Sequence, residues 1–241
     1  MRRLFQGIRK VHGKQLRPPR EHVTLDLLQT LCTLCNNNSF DELCIKTALC
    51  VAYAGFLRGQ DFTYSNWGPS EQLSKPTRSS IKFYSDHATL HLPITKTDQL
   101  RHGTTVLLTG TDSPSCPVKN LQNLFAKYPA PDDAPLFARL HPLAAYEGVC
   151  FSSQYFTTSL KTLLLRAGVD PTRFTGHSLR RGAAQSAVEF GLNKEDIQSL
   201  GRWRSDTILR YIKPESVPIL TKTKPPKDTT TLDRCRHVTK Y

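Results

Sequence analysis

No stretch of the 241 residues reaches the about 18 consecutive apolar side chains that a membrane-crossing helix needs. The most apolar segment, LCIKTALCVAYAGFL, is interrupted by Lys46, so no membrane span is expected. Acidic side chains are few: 20 Asp and Glu stand against 33 Lys and Arg, a formal net charge of +13. The first twenty residues hold seven Lys/Arg and no Asp or Glu. No apolar run follows those charges, which argues against a secretory signal peptide. An organelle transit peptide is the lesser alternative. There is no internal repeat, no phosphate-binding loop of the GxxxxGK[ST] type and no paired-carboxylate metal site. The sequence therefore points to no nucleotide, metal or other cofactor. Seven cysteines are present, but Cys32 and Cys35 form a CxxC with no second CxxC or HxxxH to complete a metal site. They lie in the helical pattern LDLLQTLCTLC, where core packing is the favoured reading over zinc or redox use. Free thiols throughout suit a reducing, intracellular compartment.

What is abundant is positive charge. Clustered Lys and Arg gain free energy by releasing counterions from phosphates, so a polyanionic partner is expected. An acidic membrane surface is the competing one. Residues 1–21 read as a basic linker or strap ending in RPPRE, and 215–241 as a flexible basic tail that could dock in trans. Between them, residues 22–214 read as one α+β domain, mostly helical. Thr24 caps a predicted helix to about Cys35, and a second runs from about Phe40 until Gly55. Short alternating segments at about 80–85, 88–95 and 104–109 predict a small three-stranded antiparallel sheet, with TDQLRHG joining the last two strands. Helices are predicted again at about 117–128, 153–167, 177–190, 193–201 and 205–213, with a stop at Gly191 and a cap at Asn193.

Five features that could carry chemistry fall in order along this pattern. Arg58 follows an apolar helix, with Asp61 three residues on, in FLRGQDF. Lys96 sits where a strand meets a hairpin turn, in LPITKTDQLRHG. His177 and Arg180 open a helix in GHSLRRGAAQSAVEFG. Trp203 and Tyr211 lie eight residues apart in LGRWRSDTILRYIKP. Each alone has an ordinary structural reading. Arg58 could cap a helix end and Lys96 could be a solvated turn lysine, with Arg101 and Lys119 as rivals. His177 could be a cap, and Trp203 and Tyr211 core aromatics. It is the joint order that is specific.

That order, Arg…Lys…HxxR…Trp…Tyr, resembles the catalytic domain of tyrosine recombinases, the phage-integrase type. The phrasing FTGHSLRRGAAQSA with LGRWRSDTILRYIKP resembles most the eukaryotic DIRS-like and Crypton-like mobile-element recombinases. The resemblance covers about residues 22–214. It implies DNA strand cleavage and rejoining through a 3′-phosphotyrosyl intermediate, homo-oligomers from dimer to tetramer on double-stranded DNA, and, for a eukaryotic element, a nuclear location. It assigns Tyr211 as nucleophile, Arg58 and Arg180 as a phosphate clamp, and Lys96 as the acid for the leaving 5′-oxygen. Paired guanidiniums suit this task because they give charge-assisted N–H bonds to non-bridging oxygens. His177 is the motif's candidate for a proton relay. Trp203 supplies an indole N–H and an apolar wall but cannot accept a proton. Asp61 is expected to orient Arg58, and Arg181 and Arg202 to contact backbone phosphates. Family members carry a separate N-terminal helical domain, and this sequence has only the basic stretch there. The second expectation is therefore a truncated, catalytically idle remnant that only binds DNA.

Overall fold

The computed structural model describes residues 20–65, 68–95, 102–139, 150–203, 208, 209, 211, 212 and 216. The expected helix at 205–213 falls largely outside the described residues, as do Lys96, Arg101 and nearly all of the two terminal segments.

The element everything else packs on is the second helix. The first, α1 (Leu25–Leu34), starts where the Thr24 hydroxyl accepts the Leu27 N–H at 3.2 Å. It buries Leu28, Leu31 and Cys32, one helical stripe. Helix α2 (Phe40–Ala54), capped by Ser39, is buried around its whole girth from Leu43 to Tyr53. Even Lys46 is covered, its ammonium donating to Asn37 Oδ1 at 3.1 Å. Cys32 and Cys35 take no part in a ligand cluster among the described residues. Cys32 Sγ lies 3.4 Å from Cys50 Sγ on α2, and Cys35 Sγ donates to Leu31 O. Both thiols fill the seam between α1 and α2. Burial pushes the Cys35 thiol up to about 12, which keeps it protonated and inert.

After α2 come two short helices, α3 (Gly59–Phe62) and α4 (Pro69–Ser74), and a 3-10 turn at Arg78–Ser80. None was predicted, because one or two turns carry too few residues for an apolar period to show. Phe62 seats α3 in an aromatic cluster, edge-on to Phe156 at 4.9 Å and to Phe137 at 6.0 Å. The sheet is the predicted antiparallel meander β1 (Ile81–Phe83), β2 (His87–Leu92) and β3 (Thr104–Thr109), in the order β1-β2-β3. Leu92 pairs with Thr104 at the open end of the second hairpin. Strands β1 and β2 are shorter than expected. Ser80 belongs to the 3-10 turn, and the ladder ends at Leu92, just before Pro93.

Helices α5 (Pro117–Lys127), α6 (Ser153–Arg166), α7 (Ser178–Glu189) and α8 (Lys194–Gly201) follow at the predicted places. A further 3-10 turn, Pro171–Arg173, leads into α7. The inner face of α7 is Gly182, Ala183, Ser186 and Ala187. Residues this small let α7 lie close to α2, where Tyr53 Oη and Ser186 Oγ are 2.8 Å apart. The chain leading into α1 crosses α7 at its glycine. Val23 N donates to Ser178 O and Ser178 Oγ donates to Glu21 O. Glu21 also pairs with Arg173 at 2.6 Å.

A Cβ built on Gly182 would sit 1.7 Å from Val23 O and 2.8 Å from Val23 C. Backbone cannot swing aside as a side chain can. Gly182→Ala should therefore destabilise the fold by about 1–3 kcal/mol, as overpacking does. Gly176→Ala, whose Cβ meets nothing nearer than 3.7 Å, should stay within about 0.5 kcal/mol of wild type. Urea unfolding of the two variants measures the contrast.

Candidate active site

Three turns, far apart in sequence, meet at one place. The first closes α2. Gly55 N donates back to Val51 O, and Leu57 N to Ala52 O. Between them Phe56 adopts φ 49°, the left-handed region that costs a bulky residue about 1–2 kcal/mol. The chain then enters α3 with Arg58 as its N-cap residue. Asp61 Oδ2 accepts the Arg58 backbone N–H at 2.8 Å. Asp61, 5 % exposed, thus fixes Arg58 through its main chain, and Leu57 and Phe62 anchor the turn from either side in the core.

The second turn is the start of α7. His177 is its exposed N-cap residue, one turn before Arg180. Arg180 is 0 % exposed. The apolar stripe that surrounds it on α7 makes a rigid mount. Arg181, about 100° further round the helix, points away: its Nη1 donates to Arg20 O at 3.3 Å.

The third turn ends α8. Asn193 caps the helix by accepting from Asp196 N at 2.8 Å. After Gly201 the backbone turns through Arg202, at φ 53° and ψ 45°. A Cβ at residue 201 would lie 1.6 Å from the Trp203 ring, so only glycine admits the indole there. Trp203 stands edge-on to Phe56, centroids 6.1 Å apart, and tilted on Tyr211 at 5.1 Å.

These turns converge on Arg180. Its guanidinium carbon lies 4.4 Å from the Trp203 ring centre and 5.8 Å from that of Tyr211. Its Nη1 donates to Phe56 O and its Nη2 to Gly201 O. Arg202, with a side chain 12 % exposed, turns inward. Both its terminal nitrogens donate to Gly55 O at 3.1 Å, and Nη2 also reaches Phe56 O at 3.2 Å and Asp61 Oδ2 at 3.8 Å.

The donors are not used up. Arg58 Nη1, Arg180 Nε, Arg202 Nε and Trp203 Nε1 are all buried with no hydrogen-bond partner. Desolvated N–H groups in such number are costly, at about 1–3 kcal/mol each. The charge is equally unbalanced. Arg58, Arg180 and Arg202 act on one another, and Asp61 is the carboxylate that opposes them. Burial, then the Arg58 and Arg202 guanidiniums, lower Arg180 from the usual arginine range to about 9. Burial likewise lowers Arg202, with Asp61 opposing the shift. Like charges in contact with one another repel, by about 4 kcal/mol at about 4 Å and an effective dielectric of about 20 as a general scale. A tetrahedral oxyanion would match the Arg58, Arg180 and Trp203 donors and balance the charge.

Of the residues singled out in the sequence, the structure brings Arg58, Asp61, Arg180, Arg202, Trp203 and Tyr211 into this cluster, and His177 is exposed one turn before Arg180. Lys96 lies outside the described residues. The base of its hairpin is close by: Thr104 to Leu107 share a cavity with Gly55, Phe56, Ser199 and Arg202. Of the rivals to Lys96, Lys119 pairs with Asp112 at 2.7 Å on the surface. The sequence reading missed the acceptors, namely the carbonyls of Gly55, Phe56 and Gly201. Backbone groups leave no residue signature. The glycine directly before Arg202-Trp203 was the one available clue.

No protein-family model matches this chain, and no curated protein matches it in sequence. Solved structures match it in fold. A structure of XerH site-specific recombinase bound to difH substrate aligns over 95 % of this chain and 57 % of its own, with TM-score 0.55 and 11 % identity. XerA recombinase aligns over 93 % and 74 %, with TM-score 0.54 and 15 % identity. A lambda integrase dimer bound to a core site aligns over 89 % and 52 %, with TM-score 0.54 and 15 % identity. The chain spans little more than half the length of the XerH and lambda integrase chains. This chain shares the fold of these recombinases and of lambda integrase, mostly helical with one small antiparallel sheet.

Proposed function

We propose that this domain cleaves and rejoins DNA strands, with Tyr211 as the nucleophile. The observation that carries the reading is the buried set of unpartnered guanidinium and indole N–H groups beside the Tyr211 ring. A phosphodiester brings one negative charge, and in-line attack builds a second on the non-bridging oxygens. Arg58 and Arg180 stabilise that charge, with Trp203 Nε1 as a third donor. The Tyr211 oxygen forms the bond to phosphorus and the bond to the 5′-oxygen breaks, so one ester replaces another. Rejoining then needs no nucleotide cofactor and no metal. The 5′-oxygen takes a proton as it leaves, and Lys96, on the β2–β3 hairpin, is its source. His177, exposed one turn before Arg180, is assigned the relay of the phenol's proton. Tyr211 lies tilted on Trp203, with the Arg180 guanidinium carbon 5.8 Å from its ring centre.

The finer reading rests on the sequence phrasing around His177 and Trp203. It makes this a mobile-element recombinase of the DIRS-like or Crypton-like branch, acting in the nucleus as a dimer to tetramer on paired DNA sites. The Tn1549 transposon integrase is one of the proteins that share the fold, at 12 % identity and TM-score 0.53.

Two measurements test the proposal. Incubated with a pool of nicked duplexes of random sequence, wild-type protein should yield a protein–DNA adduct stable to denaturation. Tyr211→Phe should yield none, and Arg180→Ala should lower its rate by about 10²–10³. An adduct that persists in Tyr211→Phe overturns the assignment. Wild-type protein that binds these duplexes and forms no adduct leaves a DNA-binding module instead.

The second measurement uses the excess charge directly. Sulfate at about ten times its dissociation constant should stabilise the fold by about 1.4 kcal/mol. That raises the melting temperature by about 3–5 °C for a chain of this size. Sodium chloride at matched ionic strength should not. Equal shifts with both salts would mean that no anion site exists.

A further inference from the structure

Arg202 is an odd residue for its place. It sits in the left-handed region, where glycine is at ease and an arginine is not. Its guanidinium does not reach out to solvent. It crosses from the end of α8 to the end of α2 and donates to Gly55 O and Phe56 O. Phe56 is the other non-glycine residue with positive φ among the described residues. Each strained turn thus stabilises the other: the bend at Phe56 turns the carbonyls inward, and the bend at Arg202 delivers the guanidinium that binds them. Asp61 extends the tie. The oxygen 3.8 Å from Arg202 Nη2 is the same Oδ2 that holds the Arg58 N–H.

We propose that Arg202 is a positioning residue that locks the Arg58 turn to the Trp203 turn, so that the phosphate clamp and its aromatic wall move as one body. It acts through Arg58 and not by its own contact with DNA. This rests on the strand-transfer reading above and goes beyond it. It assigns Arg202 a role other than the backbone-phosphate contact expected from sequence. The planar fork is what the site requires. A guanidinium spans two carbonyls and a carboxylate with donors in a fixed planar fork, while an ammonium presents rotatable donors from a single atom and does not hold that spacing. A cavity lined by Thr104, Thr105 and Ser199 as well as by Arg202 lies between this lock and the base of the hairpin.

A double-mutant cycle decides it. Arg202→Gly removes the fork and leaves a residue suited to the left-handed turn, so the fold should persist. Adduct formation should fall about 10–10²-fold, the cost of misplacing a reacting group by about 1 Å. Arg202→Lys should not restore it. The Arg58→Ala, Arg202→Gly double variant should be no more than about threefold slower than Arg58→Ala alone, since both changes remove one function. The slope of log DNA affinity against log salt should be the same for Arg202→Gly as for wild type.

Multiplying effects in the double variant, or a slope smaller by about one unit, the signature of one lost phosphate contact, would overturn the proposal. Reading the same cycle on the sulfate-induced melting shift keeps the two claims apart. If wild type forms no adduct, the strand-transfer reading fails. The positioning role still stands if Arg202→Gly and Arg58→Ala each remove the same part of the sulfate shift and the double variant removes no more. It falls if their losses add.

Discussion

Buried like charge is the constraint that shapes this molecule. Three guanidiniums share one desolvated place with one carboxylate, Asp61. Such a group is stable only because the fold turns backbone carbonyls toward it. Phe56 O and Gly201 O hold Arg180, and Gly55 O and Phe56 O hold Arg202. Those carbonyls are exposed to the interior by two backbone bends that ordinary residues avoid. The strain at Phe56 and Arg202 is therefore a condition of the site, in keeping with the general concentration of such residues where function is located. Donors on Arg58, Arg180 and Trp203 have no partner within the protein, and an anion is what would match them.

The helices were legible because their apolar stripes and caps are local. Thr24, Ser39 and Asn193 each cap the helix that follows, and the β-branched run TTVLLT forms its strand at 104–109. The order Arg58, His177, Arg180, Trp203, Tyr211 was visible as pattern, and the cluster brings four of those five side chains within reach of one another. What stayed hidden was how the cluster is held together. Nothing in the letters GFLRG says that Phe56 takes a left-handed turn, because that bend is imposed by tertiary contacts with Arg180 and Arg202. Nor does GRW say that its arginine faces inward. Asp61 was expected to orient Arg58 and does touch it, at the amide and not at the guanidinium. The short helices α3 and α4 were missed for a different reason: they are seated by Phe62 and by a proline at the helix start, features too brief to form a period.

Glycine and small residues set the distances. Gly201 makes room for the indole of Trp203, and Gly182 makes room for the backbone of Val23. The second crossing matters for the site as well as for the core. The segment at 20–23 lies across the very turn of α7 that follows Arg180, and Ser178 binds it with both main chain and hydroxyl. The helix that mounts Arg180 is thus clamped between the chain's own approach segment and α2.

The carbonyl of Gly201 that accepts from Arg180 also has a bearing on biosynthesis. Arg180 emerges from the ribosome some twenty residues before its last acceptor does. Until α8 has been made and has folded back, the cationic centre is an unfinished surface whose guanidinium still points into water. The contacts that hold Arg180 are therefore completed only once the end of α8 is in place.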